Sequence, residues 1–205
     1  YDLYFSSFGT CSHHNDDETM IQLLVDIAER TKDYAVIHCD WLGRYSYEWQ
    51  DLWVNDYAER LNMDYVVSYI YEKEEREARA DELQHLNLRL VSRSEAESIV
   101  AEASKRSGVE IKPLCYYDRS VFTGRHIDTG EYNPAPQAVR NAVNSLHEVN
   151  VRTDFSELLF DYIPKPGFEF LNKHYEHVQA CWNYTVKHVG ELLSLYDEET
   201  RAFTG

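Results

Sequence analysis

The first forty residues constrain the fold more than any other stretch, because they read strand, loop, helix, strand. Residues 3–5 are apolar and β-prone, residues 6–10 read Ser-Ser-Phe-Gly-Thr, and residues 34–40 read Tyr-Ala-Val-Ile-His-Cys-Asp. Apolar residues between these segments recur at helical spacing: Met20, Leu23, Leu24, Ile27 and Ala28. This spacing predicts an amphipathic helix. Two strands joined by one helix over so short a span are expected to be parallel neighbours.

This order also predicts where a ligand binds. Open α/β sheets bind ligands at the carboxyl ends of their parallel strands. The hydroxyl-rich loop follows the first strand, and Asp40 follows the second. Asn15 and Glu18 are spaced as a capping box, which predicts that the intervening helix begins there.

The remainder of the chain predicts further strands and helices. Residues 86–91 alternate like a strand, and a helix is expected from Ser92 to a stop at Gly108. Residues 55–84 favour a helix, although residues 65–71 also fit a strand. Two later helices are predicted: about 137–149 and 168–196. We predict one α/β domain over residues 1–205.

Composition argues against some classes of protein and some kinds of partner. The 205 residues are 43% hydrophobic, enough for one core, and no run of roughly eighteen apolar residues predicts a membrane span. A net charge of −16 argues against polyanionic partners, although a small basic face is compatible with it. The four cysteines lack a CxxC spacing, so we expect reduced thiols and a cytoplasmic protein with no membrane partner. The nine histidines match no zinc signature, and we predict no metal and no cofactor.

An aromatic loop follows the second predicted strand. Residues 41–49 contain Trp41, Arg44 and Tyr45 beside Asp40. Such clustering is typical of a pocket wall and equally of a packed surface loop, and the sequence leaves both interpretations open. In the first interpretation, these four residues bind substrate.

Ser7 is the candidate nucleophile. The chain has no GxGxxG, no GxxxxGK[ST] and no GxSxG motif, which removes sequence support for dinucleotide, P-loop and α/β-hydrolase sites. Ser7 stands just after a strand and two residues before Gly9, where a following helix start offers N–H groups to an oxyanion. The alternative is that Ser6, Ser7 and Thr10 only satisfy backbone groups of the turn.

Residues 5–10, the following helix, the strand ending at Asp40 and residues 88–95 resemble, in order and spacing, the cyclodipeptide synthases. The resemblance implies a three-layer Rossmann-like (HUP-type) domain, with a mostly parallel sheet flanked by helices, as in class I aminoacyl-tRNA synthetases. In that family, a serine after the first strand carries the aminoacyl group, and Ser7 stands in the matching place. Residues 180–184 resemble the approach to a family tyrosine, at Tyr184.

The same resemblance implies the activity. Ser7 would accept an aminoacyl group from one aminoacyl-tRNA, a second aminoacyl-tRNA would extend it, and the dipeptide would cyclise to a diketopiperazine without ATP. Gly9 and Thr10 belong to the substrate-binding loop. One turn after Tyr184, where the family has Glu, this chain has His188, and Glu191 follows. Either residue would move protons with Tyr184, and Asp40 would recognise a cationic side chain. The chain also lacks the basic tRNA-binding helix of bacterial members, which fits a divergent branch such as the arginine-specific fungal synthases.

Two other interpretations compete with this one. Residues 36–44 and 57–61 also resemble the PP-loop proteins related to phosphoadenosine-phosphosulfate reductases. Their first loop reads SGGxDS, whereas residues 6–12 supply neither the paired glycines nor the Asp. The third interpretation is a non-catalytic binding protein, whose interaction face would be built from the sixteen tyrosines.

Overall fold

The computed structural model describes residues 2–7, 9–14, 16–55, 62–67, 71–72, 74–76, 78–117, 133, 135 and 139–204, without the side chains of 140 and 197–204. The chain divides into two compact units. The first comprises Tyr1–Tyr45 and Asp56–Asp118, and the second comprises Ser46–Asn55 and Arg119–Gly205. One domain over residues 1–205 stays a prediction.

The first unit contains five strands and two α-helices among its described residues: β1 (Asp2–Phe5), α1 (Asp17–Arg30), β2 (Ala35–His38), β3 (Leu42–Gly43), β4 (Asn62–Val67), β5 (Gln84–Val91) and α2 (Arg93–Ser107), with 3₁₀ helices at Thr10–His13 and Ala80–Glu82. The described part of the second unit contains α3 (Arg140–Ser145), α4 (Glu169–Thr204) and 3₁₀ helices at Tyr47–Leu52 and Phe155–Leu158. The chain is therefore mixed α/β, as predicted. No helix in the described ranges combines the length and apolarity needed to cross a bilayer.

The predicted opening of the fold is confirmed. β1 and β2 are parallel partners, with a register that runs from Asp2 opposite Ala35 to Phe5 opposite His38. The predicted helix start is wrong by one residue, because Asp16 is the N-cap of α1 and its carboxylate accepts the Thr19 N–H at 2.7 Å. A carboxylate at this position also complements the positive end of the helix dipole.

The other described strands form a second small sheet. β5 is its centre, with β3 parallel on one side and β4 antiparallel on the other. The helical prediction for residues 55–84 is therefore wrong for β4, while the alternative strand holds as far as Val67. Met63 and Val67 are buried, and β5 satisfies the backbone groups of β4. Residues 68–70 lie outside the described part of the chain.

Local signals place α2 correctly. The Ser92 hydroxyl accepts the Glu95 N–H, the Glu95 carboxylate accepts the Ser92 N–H at 2.7 Å, and Gly108 ends the helix in the left-handed conformation. These contacts form a complete capping box and a glycine C-cap, which stabilise helix ends without tertiary contacts. α1 and α2 pack on each other around a buried apolar cluster that includes Leu24 and Ile99.

A buried ionic network crosses the first unit. The Arg44 guanidinium donates from Nε and Nη2 to the two Glu95 carboxylate oxygens at 3.1 and 3.0 Å. Arg89 lies 3.5 Å from the same carboxylate and also binds Asp17. Burial raises the pKa of Glu95, but the hydrogen bonds from Ser92 and the charge of Arg44 outweigh it and hold that pKa below its ordinary value. The network therefore ties the residue after β3 to β5 and to both helices.

Aromatic side chains form the core of the second unit. Tyr47 lies in its centre, with its ring 4.9 Å from that of Tyr162 and 5.9 Å from that of Tyr175. The buried Tyr47 hydroxyl accepts the Ile163 N–H at 2.8 Å. Desolvation raises the pKa of Tyr162 to about 12, so both phenols stay neutral at physiological pH.

Phe160→Ala is expected to cost about 3–5 kcal/mol in free energy of unfolding, because it opens a cavity in this core. The Phe160 side chain is 5% exposed and meets the Tyr47 ring edge-on at 5.5 Å. Urea denaturation measures the loss. The matched control is Phe170→Ala on α4, where the side chain is 85% exposed and the expected change is within about 0.5 kcal/mol. Equal losses in the two variants would contradict the aromatic core.

Candidate functional site

The loop after β1 is held by backbone contacts to the end of β2. The Ser6 N–H donates to the His38 carbonyl at 2.9 Å, and the Cys11 N–H donates to the Asp40 carbonyl at 3.1 Å. Gly9 adopts the left-handed conformation, with φ 68°. Its N–H donates to Asp40 Oδ2 at 3.1 Å. The predicted neighbourhood of the loop and Asp40 is thus present, at the carboxyl ends of two parallel strands.

The hydroxyl groups of this loop differ in their partners. The Ser6 hydroxyl lies 3.2 Å from the Cys11 sulfur, and the Thr10 hydroxyl donates to the Ser7 carbonyl. The buried Ser12 hydroxyl accepts the Leu42 N–H at 2.8 Å. The Ser7 hydroxyl makes no hydrogen bond with any of the described residues, and its side chain is half-buried. Of the three hydroxyls in the turn alternative, that of Thr10 therefore satisfies a backbone group of the turn, that of Ser6 contacts a sulfur instead, and that of Ser7 has no partner among the described residues.

Asp40 has a structural task in this loop. One of its carboxylate oxygens accepts the Gly9 N–H, and its carbonyl accepts the Cys11 N–H. Both contacts hold the segment that follows Ser7. The sequence predicts that Asp40 lies beside the loop, but only as a substrate-binding residue. Its structural role could not be predicted, because the hydrogen bond between Gly9 and Asp40 requires the completed β1–β2 pair.

The aromatic loop that follows Asp40 packs inward at two of its predicted substrate-binding positions. Trp41 is half-buried against the apolar cluster of α1 and α2. Arg44 is 1% exposed, and its guanidinium forms a salt bridge with the Glu95 carboxylate. Tyr45, the third aromatic-loop candidate, is half-buried. The geometry of Trp41 and Arg44 favours the packed-loop interpretation over the pocket wall for these two side chains.

Sequence reasoning missed a pair of neighbouring thiols. Cys11 lies in the 3₁₀ helix after β1, and Cys39 follows the last residue of β2. Cys39 packs against the buried apolar cluster that contains Cys11. The hydrogen bond from Cys39 lowers the pKa of Cys11 to about 6 against the effect of burial, and the same contact raises the pKa of Cys39. The pair could have been predicted from one feature of the sequence: each cysteine follows one of the two predicted parallel strands.

The other predicted catalytic residues lie on α4, in the second unit. Tyr184 is 71% exposed, and its ring stacks on that of His188 with centroids 5.9 Å apart. Glu191 is also exposed. Helical spacing explains the ring stacking, because residues four apart lie on the same face.

The second unit also has an apolar groove between α3, α4 and the 3₁₀ helix Phe155–Leu158. Its volume is about 270 Å³, and its lining includes Phe155, Trp182 and Val186. None of the predicted site residues lines it. The groove is therefore separate from the residues that the sequence singled out.

No group of three or more His, Cys, Asp or Glu side chains that would hold a metal ion occurs in the described ranges. Comparison with protein families, curated proteins and solved structures gives no match to this chain. The site is therefore interpreted from its own geometry.

Gly9→Ala is expected to destabilise the first unit more than Gly108→Ala. Both glycines have φ 68°, where an L side chain costs roughly 1–2 kcal/mol. A Cβ on Gly9 would lie 2.9 Å from Leu42 Cδ2, whereas a Cβ on Gly108 has no neighbour within 4 Å. Chemical denaturation of both variants isolates the cost of the Leu42 contact. Equal losses in free energy of unfolding for the two variants would show that Leu42 makes room for the new Cβ at little cost.

Proposed function

We propose that this protein is an aminoacyl-tRNA-dependent cyclodipeptide synthase whose aminoacyl acceptor is Ser7. The proposal includes the three-layer Rossmann-like arrangement of that family. One observation carries it: among the loop hydroxyls of Ser6, Ser7, Thr10 and Ser12, that of Ser7 alone has no hydrogen-bond partner within the described residues. An unengaged hydroxyl beside a glycine turn at the end of a parallel strand can act as a nucleophile once a base activates it.

The chemistry needs no ATP, because the ester of aminoacyl-tRNA is already activated. Ser7 Oγ attacks the ester carbonyl, and the tRNA leaves as its alcohol with the serine proton. The amine of the bound aminoacyl group then attacks the ester carbonyl of a second aminoacyl-tRNA, whose acyl–oxygen bond breaks. That tRNA leaves as its alcohol with a proton from the amine, which gives dipeptidyl-Ser7. The terminal amine finally attacks the Ser7 ester, so the diketopiperazine leaves and the hydroxyl is restored.

Tethering supplies much of the rate in this scheme. The cyclisation joins two groups held on one side chain, and well-oriented intramolecular reactions lower barriers by roughly 7–11 kcal/mol. The contacts of Asp40 to Gly9 and Cys11 support the scheme, because they position the backbone that follows Ser7. We assign recognition of a cationic substrate side chain to the Asp40 carboxylate.

The resemblance supplies the remaining roles. We assign proton transfer to Tyr184, with His188 or Glu191 as the second group, since all three side chains are exposed on α4. The partners would be two aminoacyl-tRNAs per product. The net charge of −16 makes weak, salt-sensitive tRNA binding the expected behaviour.

Metabolite profiling of cells that express the full chain tests the proposal. New cyclic dipeptides, absent from cells with an empty vector, would support it and identify the two side chains. The purified protein should make the same products from charged tRNA but not from tRNA charged through an amide. No product with any proteinogenic amino acid would overturn the proposal. Thermal stabilisation by ATP in that case would favour the nucleotide-binding interpretation.

A further inference from the structure

A thiol pair outside the proposed chemistry lies directly behind the loop of Ser7. Cys11 belongs to the 3₁₀ helix Thr10–His13, and Cys39 stands one residue beyond β2. The Cys11 N–H donates to the Asp40 carbonyl at 3.1 Å, which ties the two backbones together beside the sulfurs. Cys39 also packs against the buried apolar cluster that contains Cys11. Both cysteines are thus held next to each other by the parallel pairing of β1 and β2.

The surroundings of Cys11 differ from those of an inert core cysteine. Its side chain is 4% exposed within the apolar cluster of α1 and α2, where a thiol ordinarily acts as a small hydrophobic group. Three donors nevertheless surround its sulfur: the Cys39 thiol, the Ser6 hydroxyl at 3.2 Å and the backbone of Asp40. These donors lower the pKa of the Cys11 thiol against the effect of burial, which favours its thiolate form.

We propose that Cys11 and Cys39 form a reversible redox pair, which a small hydroperoxide converts to a disulfide. The pair does not depend on the acyl chemistry of Ser7. Its consequence is local: the new bond would join the helix after β1 to the residue after β2, and would thereby lock the loop that contains Ser7.

The reaction balances in two steps. The Cys11 thiolate attacks one oxygen of the hydroperoxide, the O–O bond breaks, and the leaving oxyanion takes a proton, which gives Cys11 sulfenic acid. The Cys39 sulfur then attacks the Cys11 sulfur, the S–O bond breaks, and water leaves with the Cys39 proton. Two electrons pass from the thiols to the peroxide. A dithiol reductant reverses the reaction by thiol–disulfide exchange.

The test uses the full chain with Cys115 and Cys181 replaced by serine, since both are exposed and would react first. The folded protein is treated with hydrogen peroxide, alkylated under denaturing conditions and measured by intact mass and non-reducing peptide mapping. We expect loss of the mass of two hydrogen atoms, one Cys11–Cys39 cross-linked peptide, and full reversal by dithiothreitol. Mapping of the peroxide-treated wild-type chain provides a second measurement of the same cross-link.

Cys39→Ser in the same background separates the two steps. Cys11 should then stop at the sulfenic acid, which dimedone traps, and no mass should be lost by cross-linking. Circular dichroism before and after treatment shows that the chain is folded while it reacts. The proposal is overturned if both thiols remain alkylatable after peroxide treatment, or if a cross-link forms only in unfolded protein.

Discussion

Replacing Ser7 by alanine is expected to abolish both the aminoacyl-enzyme and the cyclic dipeptide. The wild-type chain, incubated with charged tRNA and quenched in acid, should gain the mass of one aminoacyl group, and Ser7→Ala should gain none. Product should fall below detection, because the variant loses a tethering advantage of roughly 7–11 kcal/mol. Intact-protein mass spectrometry measures the adduct, and liquid chromatography with mass detection measures the product.

Two further variants separate chemistry from folding. Ser7→Cys keeps a nucleophile at the same position and should carry the aminoacyl group as a thioester. Ser6→Ala removes the neighbouring hydroxyl, which is engaged with Cys11, and should retain the adduct. An adduct that persists in Ser7→Ala, or maps to another residue, would disprove the assigned nucleophile.

Arg44→Met is expected to lower the free energy of unfolding by about 3 kcal/mol, the low end for breaking a buried ion pair. The substitution leaves the Glu95 carboxylate partly buried, with Arg89 at 3.5 Å as its remaining cation in the network. It also removes the two hydrogen bonds that join the residue after β3 to the first turn of α2. Urea denaturation followed by circular dichroism measures the loss.

Arg30→Met provides the matched control for Arg44→Met. Arg30 and Asp26 form an exposed pair four residues apart on α1, with N and O at 3.6 Å. Such pairs contribute about 0.3–0.5 kcal/mol, so the same substitution should change stability very little. A loss for Arg44→Met as small as that for Arg30→Met would show that the buried network adds little to the stability of the first unit.

The sequence by itself determined the elements whose signals are local. The helical spacing of Met20, Leu24 and Ala28 predicted α1, and the capping box at Ser92 with the stop at Gly108 predicted α2 within a residue. The apolar runs on either side of α1 predicted the parallel β1–β2 pair. These features depend on hydrogen bonds and side-chain periodicity within a few turns, so they are readable along the chain.

Only the tertiary structure decided the features that depend on distant partners. Residues 62–67 have an apolar pattern compatible with a helix or a strand, and pairing with β5 selects the strand. Arg44 becomes a buried structural cation because α2 brings Glu95 to it. Cys11 and Cys39 become a pair because β1 and β2 end side by side. Each outcome rests on a contact between groups far apart in the chain, and neither residue type nor local spacing specifies such a contact.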